Sequence, residues 1–261
     1  MTTADPGAVG LAASGVLVAL AVAISLWRRL GLERSMLWAS LRALVQLLLI
    51  GVALDLVVQP GRPLVFSWIW VVVMVTFAGW TVRRRAPEVP GALGLGVIAF
   101  AASAAVSLGV LFGFGIFEVD NRTIVPLAGM VVGNSLAATV LVGRRIVEDM
   151  ADKRDEVEAR LALGMPSSLA GAPYLRDAVR TALIPQIETT KAVGIVFLPG
   201  AMVGLILAGA EPLAAVKVQV AVMYLILGSV ATTTTVVAIG LSRRLFTPDH
   251  RLVHLERRVH R

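Results

Sequence analysis

Seven apolar runs separated by polar connections leave this chain few ways to fold. Each approaches the roughly 20 residues that a helix needs to cross the hydrocarbon core. In lipid the backbone must satisfy its own N–H and C=O groups, which restricts such runs to helices. They lie at about 9–27, 41–58, 64–82, 93–117, 124–142, 187–209 and 213–241. Of 261 residues 57% are hydrophobic and 16% charged, against about 25% charged in soluble domains. The expectation is an all-α membrane protein of seven transmembrane helices, multi-pass in the plasma membrane.

Charge in the connections sets the orientation. Alternate loops carry Arg28, Arg29 and Arg34; Arg83, Arg84 and Arg85; seven basic residues between 144 and 180; and six between 243 and 261. The opposite side holds only Arg62 and Arg122, with Arg42, Lys191 and Lys217 inside or at the edges of runs. The positive-inside rule then places the N-terminus outside and the C-terminus inside. A net charge of +7 is therefore read as a topology signal, and no nucleic acid is expected as partner. The first basic residue is Arg28, so no signal-peptide n-region is present and no cleavage is expected. With no cysteine, disulfides, Cys-ligated metals and thiol chemistry are excluded.

Polar residues inside the runs are the candidates for function, because such groups are costly in lipid. Arg42 and Gln46 share a face of the second run; Arg42 is placed to snorkel and Gln46 to meet another helix. Trp68, Trp70 and Trp80 bracket the third run as interfacial aromatics. Gly109 and Gly113 in the fourth, and Gly129 and Gly133 in the fifth, have the spacing that allows close helix approach. In the outer loop Glu118 and Asp120 fit a solvated turn better than a cation site. Asn134 and Ser135 fall at mid-bilayer and either bind helices together or line a pathway.

The sixth run combines Glu188 and Lys191 at its start with Pro199-Gly200 at its middle. Glu188 can pair with Lys191 at i,i+3 or with Arg42, and the charges act as a local salt bridge or in gating. A mid-span Pro-Gly frees backbone groups, which is tolerated at a kink or beside a cavity. Met202 lies next to it, and Met130 and Met74 are also embedded; thioethers suit soft metals but equally fill gaps. In the seventh run Lys217 and Gln219 lie near the external end, with Asp55 at matching depth.

Residues 143–185 form the one long non-membrane loop, and loops of such length are usually functional. Alternating charges from Arg144 to Leu163 extend the fifth helix; a short helix interrupted by Pro166 and Pro173 follows, and then 175–183. A folded helical loop of this kind is a docking surface for a soluble partner. The basic tail, 245–261, carries His250 and His254 at a metal-ligand spacing, but adsorption to anionic lipid is the favoured use; His260 completes the histidines. Lys153, Lys191 and Lys217 follow Asp, Thr and Val, so no Walker A motif is present, and HExxH and GxSxG are absent. The chain reads as a non-enzyme without an ATPase site of its own.

Taken together, Arg42-xxx-Gln46-Leu47, Gly129-Met130-xx-Gly133-Asn134-Ser135, Glu158-Ala159-xxxx-Gly164, Ile184-Pro185-xx-Glu188-xx-Lys191-xx-Gly194 and Leu198-Pro199-Gly200-Ala201-Met202-x-Gly204, followed by Pro212 and Gln219, form a pattern. It resembles the FetB-type permease subunits of bacterial ATP-binding-cassette (ABC) iron exporters, with a plant branch linked to aluminium tolerance. The resemblance implies one ABC-type transmembrane domain over 1–261, with 143–185 as its cytoplasmic coupling loop. It implies a separate nucleotide-binding subunit that carries ATP and magnesium, two copies of each subunit, and a metal ion as cargo, most simply iron. Residues 158–164 look like the docking loop of importer permeases, with Glu158, Ala159 and Gly164 as contacts, although the gap to Pro185 is longer than usual. On this reading Asn134, Ser135, Pro199, Gly200, Met130 and Met202 form pathway or gate, and Arg42, Gln46, Glu188 and Lys191 the buried charges that couple. Metal ligands stay unassigned, and iron, other metals and nucleotide-sugars are all linked to relatives. The competing classes are a stand-alone secondary transporter or channel with Glu188 as carrier, and a scaffold without transport.

Overall fold

The structure, a computed structural model, describes residues 7–57, 62–247, 249 and 251–253. His250, His254 and His260 lie outside the described residues, as does the side chain of Asp55. Among the described residues every regular element is an α-helix: α1 (Gly7–Trp27), α2 (Glu33–Val57), α3 (Val65–Arg85), α4 (Ala92–Gly113), α5 (Asn121–Asp152), α6 (Arg154–Ala162), α7 (Ser167–Ala170), α8 (Ala172–Ala192), α9 (Gly200–Leu207) and α10 (Pro212–Arg244). Five are long and apolar enough to cross a membrane: α2 over Glu33–Val52, α3, α4, α5 and α10. The first expected run forms α1, with a shorter apolar stretch over Ala12–Trp27. The chain divides into two compact units, residues 1–62 with 207–209, and 63–206 with 210–261.

The first unit is a helical hairpin. Its turn holds Arg29 at φ 52° and Gly31 at φ 69°. Ser25, fully buried, donates from Oγ to Glu33 Oε1 at 2.8 Å and so ties the end of α1 to the start of α2. Arg28 lies over the Trp27 ring at 5.8 Å, the arrangement expected of an interfacial anchor.

In the second unit α3, α4, α5 and α10 pack against one another around a continuous apolar core that includes Phe100, Leu108, Ile124 and Val131. Helices α3 and α4 approach closely. A Cβ on Gly79 would meet Val97 Cγ2 at 2.5 Å, and one on Gly96 would meet Gly79 Cα at 3.0 Å. Glycine is required here by proximity. Hydroxyls stitch the bundle where water is absent: Ser67 Oγ to Asn121 Oδ1 at 2.7 Å, Ser103 Oγ to Ser229 O at 3.2 Å and Ser135 Oγ to Ser229 Oγ at 3.0 Å. Each such bond contributes on the order of 0.6 kcal/mol in a bilayer. Exposed Val72, Val73, Phe77, Ile98 and Val106 give the bundle an apolar exterior suited to lipid.

Asp120 shapes the turn before α5 by capping that helix: its side chain accepts from Asn121 N while Thr123 Oγ1 accepts from Asp120 N at 3.2 Å. With 32 residues, α5 is about 48 Å long and overshoots a ~30 Å hydrocarbon core by several turns. The overshoot is the charged continuation expected from sequence, stapled by Arg145–Asp149 at 3.0 Å. The same apolar core continues beyond the bundle through Met150, Val157, Ala170, Phe246 and Leu252. The described part of the tail folds back into this core, with Thr247 N donating to Arg251 O at 2.8 Å and Val253 N to Leu245 O at 2.9 Å. Leu245, Phe246 and Leu252 are thus buried in protein, while residues 254–261 of the basic tail expected on lipid lie outside the described residues.

The largest departure concerns the expected span at 187–209, which is not one helix. α8 opens at Ala172 with Pro173 in its first turn, where a missing N–H costs nothing, and runs on through Pro185 to Ala192. Gly194 then adopts φ +86°, and Gly194 N donates to Phe197 O at 2.9 Å in a tight non-helical turn. Pro199 disfavours helix at Leu198, and α9 begins only at Gly200. Its 8 residues extend about 12 Å, too short to span.

Candidate functional site

Near the C-terminal end of α8, charge is arranged for exposure. Lys191 Nζ donates to Glu188 Oε1 at 2.9 Å, and their side chains are 66% and 62% exposed. The i,i+3 pair anticipated from sequence therefore forms. With Arg176, Arg180 and Thr235 it lines a cavity of about 680 Å³ between α8 and α10. Arg42 and Gln46 are exposed side chains of α2, in the first unit.

The break between α8 and α9 opens onto a second cavity, of about 440 Å³. Thr190, Gly194, Leu198 and Met202 line one side; Gln219 and Met223 of α10 line the other. Pro199 and Gly200 form the joint from which Met202 projects. Asn134, Ser135 and Met130 do not line this cavity. Asn134 is exposed on α5 and turns its Nδ2 back to Met130 O at 2.8 Å, whereas Ser135 is fully buried in the α5–α10 contact. The pathway residues picked out by sequence are thus split between two faces.

Gln219 is the residue that composition alone underrated. It is 4% exposed, and its Oε1 has no hydrogen-bond partner. An amide in an apolar helix was visible in the sequence, but its lack of a partner is a matter of geometry. Among the described residues no group of three or more His, Asp or Glu is placed to hold a metal ion.

The third region is the helical appendage. α6 ends in a Schellman turn: Gly164, at φ +85°, donates to Leu161 O at 2.9 Å and Met165 N to Arg160 O at 3.1 Å. The turn thrusts Leu163 (83% exposed), Met165 and Leu169 outward, while a Cβ on Gly164 would meet nothing within 4 Å. Glu158 and Ala159 are exposed on α6, and Glu158 accepts from Arg154 Nε at 2.7 Å. Behind this apolar knob, Glu156 accepts from Tyr174 Oη at 2.7 Å and from Lys153 Nζ at 2.9 Å. Those two donors hold the Glu156 carboxyl below its ordinary range, while burial, then the bond to Glu156, pushes the Tyr174 hydroxyl up. Arg160 lies 5.3 Å over the Tyr174 ring and donates to Ala170 O at 3.1 Å, fixing α6 to α7 and the start of α8. The knob is an exposed apolar surface on a braced support.

Comparison with known proteins was made over the whole chain. Residues 8–246 match the family described as Uncharacterised protein family (UPF0014). The rice UPF0014 membrane protein STAR2 is 37% identical over 86% of this chain and 82% of its own. The probable iron export permease protein FetB of Escherichia coli is 33% identical over 93% of both chains. Protein ALUMINUM SENSITIVE 3 of Arabidopsis thaliana is 32% identical over 87% of this chain and 83% of its own. No solved structure matches.

Proposed function

From the chain's membership of the UPF0014 family of membrane proteins, we propose that it is the permease subunit of an ATP-driven ABC exporter, with iron or another metal as cargo. ATP and magnesium are bound and used by a separate nucleotide-binding subunit, and two permease copies form the pathway. The resemblance to a probable iron export permease over nearly the full length of both chains supports the cargo class.

The observation that carries the reading is the knob formed by Leu163, Met165 and Leu169. Exposed large apolar side chains on a polar appendage call for a partner. Their support is braced, through α6 and α7, on the start of α8, which runs without interruption to the break at 193–199. Closure of two ATPase subunits against the knob would tilt α8 and reshape the cavity that Met202 and Gln219 line. In this scheme Glu188 and Lys191 couple, Glu158, Ala159 and Gly164 dock, and the N-terminus is outside.

The test is co-purification. Leu163→Asp with Met165→Asp is expected to abolish recruitment of the nucleotide-binding subunit and its transport-linked ATPase activity while the permease stays in the membrane. Undiminished recruitment by that variant, or substrate movement under an ion gradient without ATP, overturns the reading.

A further inference from the structure

The cavity of about 680 Å³ between α8 and α10 holds two cations that no carboxylate answers among the described residues. On the neighbouring elements basic side chains are matched: Arg144 by Glu88, Arg145 by Asp149, Lys153 by Glu156 and Arg154 by Glu158. Lys191, which lines the same cavity, is matched by Glu188. Arg176 and Arg180 are exposed in its lining and, among the described residues, enter no ion pair. Four positions apart, they share one face of α8.

The walls indicate what an anion bound there carries with it. Leu183, Ile184 and Ile187 line the cavity from α8, and Ala238 and Ile239 from α10. Ile184, Ile187 and Ile239 are exposed as well, so this wall continues into the apolar exterior of the bundle. The α10 residues of the lining lie toward the end of that helix, which closes on Arg243 and Arg244. Basic residues at the end of a span mark the level of the lipid headgroups. Basic pockets between membrane helices recruit anionic headgroups, and guanidinium groups match phosphate oxygens bidentately. A soluble anion gains nothing from isoleucine walls, and a lipid without net charge gains little from the arginines. A volume of about 680 Å³ falls within the roughly 300–1,000 Å³ of small-ligand pockets. A headgroup and the upper chain segments enter, while the chain ends stay in the bilayer.

We propose that this cavity binds one anionic phospholipid, its phosphate on Arg176 and Arg180 and its upper acyl segments against Ile184, Ile187 and Ile239. The site goes beyond the exporter reading and needs only the chain's place in a membrane. A lipid bridging α8 to α10 stabilises the folded chain by mass action.

The test uses the purified full chain in a non-ionic detergent, titrated with phosphatidylglycerol or with phosphatidylcholine of matched acyl chains. Native mass spectrometry counts bound lipid, and thermal melting reads its effect. Phosphatidylglycerol is expected to bind in preference and to raise the melting temperature. Arg176→Gln with Arg180→Gln is expected to reduce that preference about 25-fold, roughly fivefold per arginine. Arg83→Gln with Arg85→Gln, which removes two exposed arginines at the end of α3, is expected to leave it unchanged. Inorganic phosphate and glycerol 3-phosphate are expected not to compete with the lipid. Equal binding of the two lipids, a preference that survives loss of Arg176 and Arg180, or an equal loss in the α3 variant overturns the proposal. Displacement by glycerol 3-phosphate overturns it too, and marks a site for a soluble anion. None of these readouts involves an ATPase, so a failure here leaves coupled export standing, and failed ATPase recruitment leaves the lipid site standing.

Discussion

Glu156 shows how one side chain holds an interface open to solvent. It joins Lys153 on its own helix to Tyr174 on α8, and its carboxyl titrates below the ordinary value of 4.5. A depressed folded value means that the contribution is present above the unfolded value and fades as pH falls through the folded one. Glu156→Gln is therefore expected to speed amide hydrogen exchange in α6 at pH 7 and to make no difference once the pH lies below the folded value. An equal effect at both pH values would show that the carboxylate charge is irrelevant. At this scale the sequence is least transparent. Alternating charges around Glu156 announce an exposed helix, but they do not announce that Tyr174, eighteen positions away, is its partner. Gln219 is similar: its polarity is plain, its isolation is not.

Among the elements, hydropathy located α1, α2, α3, α4, α5 and α10 because apolar length is what it measures. It failed at 187–209, where length and composition suffice for a span but continuity does not follow. The positive φ of Gly194 ends α8, and glycine is too common in membrane helices for that to be read beforehand. Pro185 misled in the opposite sense. It was placed at the end of the loop, yet α8 passes through it, as membrane helices tolerate when neighbours satisfy the freed carbonyl. Helix-to-helix adhesion is testable at Ser135 and Ser229, which meet at 3.0 Å. A double-mutant cycle to alanine is expected to give a coupling of roughly 0.6 kcal/mol in unfolding from mixed micelles. Coupling near zero would assign Ser135 wholly to its own turn, where Val131 O also accepts from it at 2.6 Å.

At the scale of the whole molecule the bias of arginine between loops sets an expectation that a cysteine-free chain makes easy to check. Ser168→Cys on the appendage is expected to resist a membrane-impermeant maleimide in intact cells and to react after permeabilisation. Val119→Cys in the turn before α5 is expected to react from outside. The reverse pattern would invert the orientation. The unbroken run of α8 then has a mechanical consequence. Its 21 residues make a rod of about 31 Å. A tilt of about 10° at the appendage end would carry the other end by about 5 Å, close to the rise of one helical turn. That is the distance by which packed helices change register in one discrete step. On the proposed coupling, a small rotation imposed at the appendage would arrive at residues 193–199 as a displacement of that size.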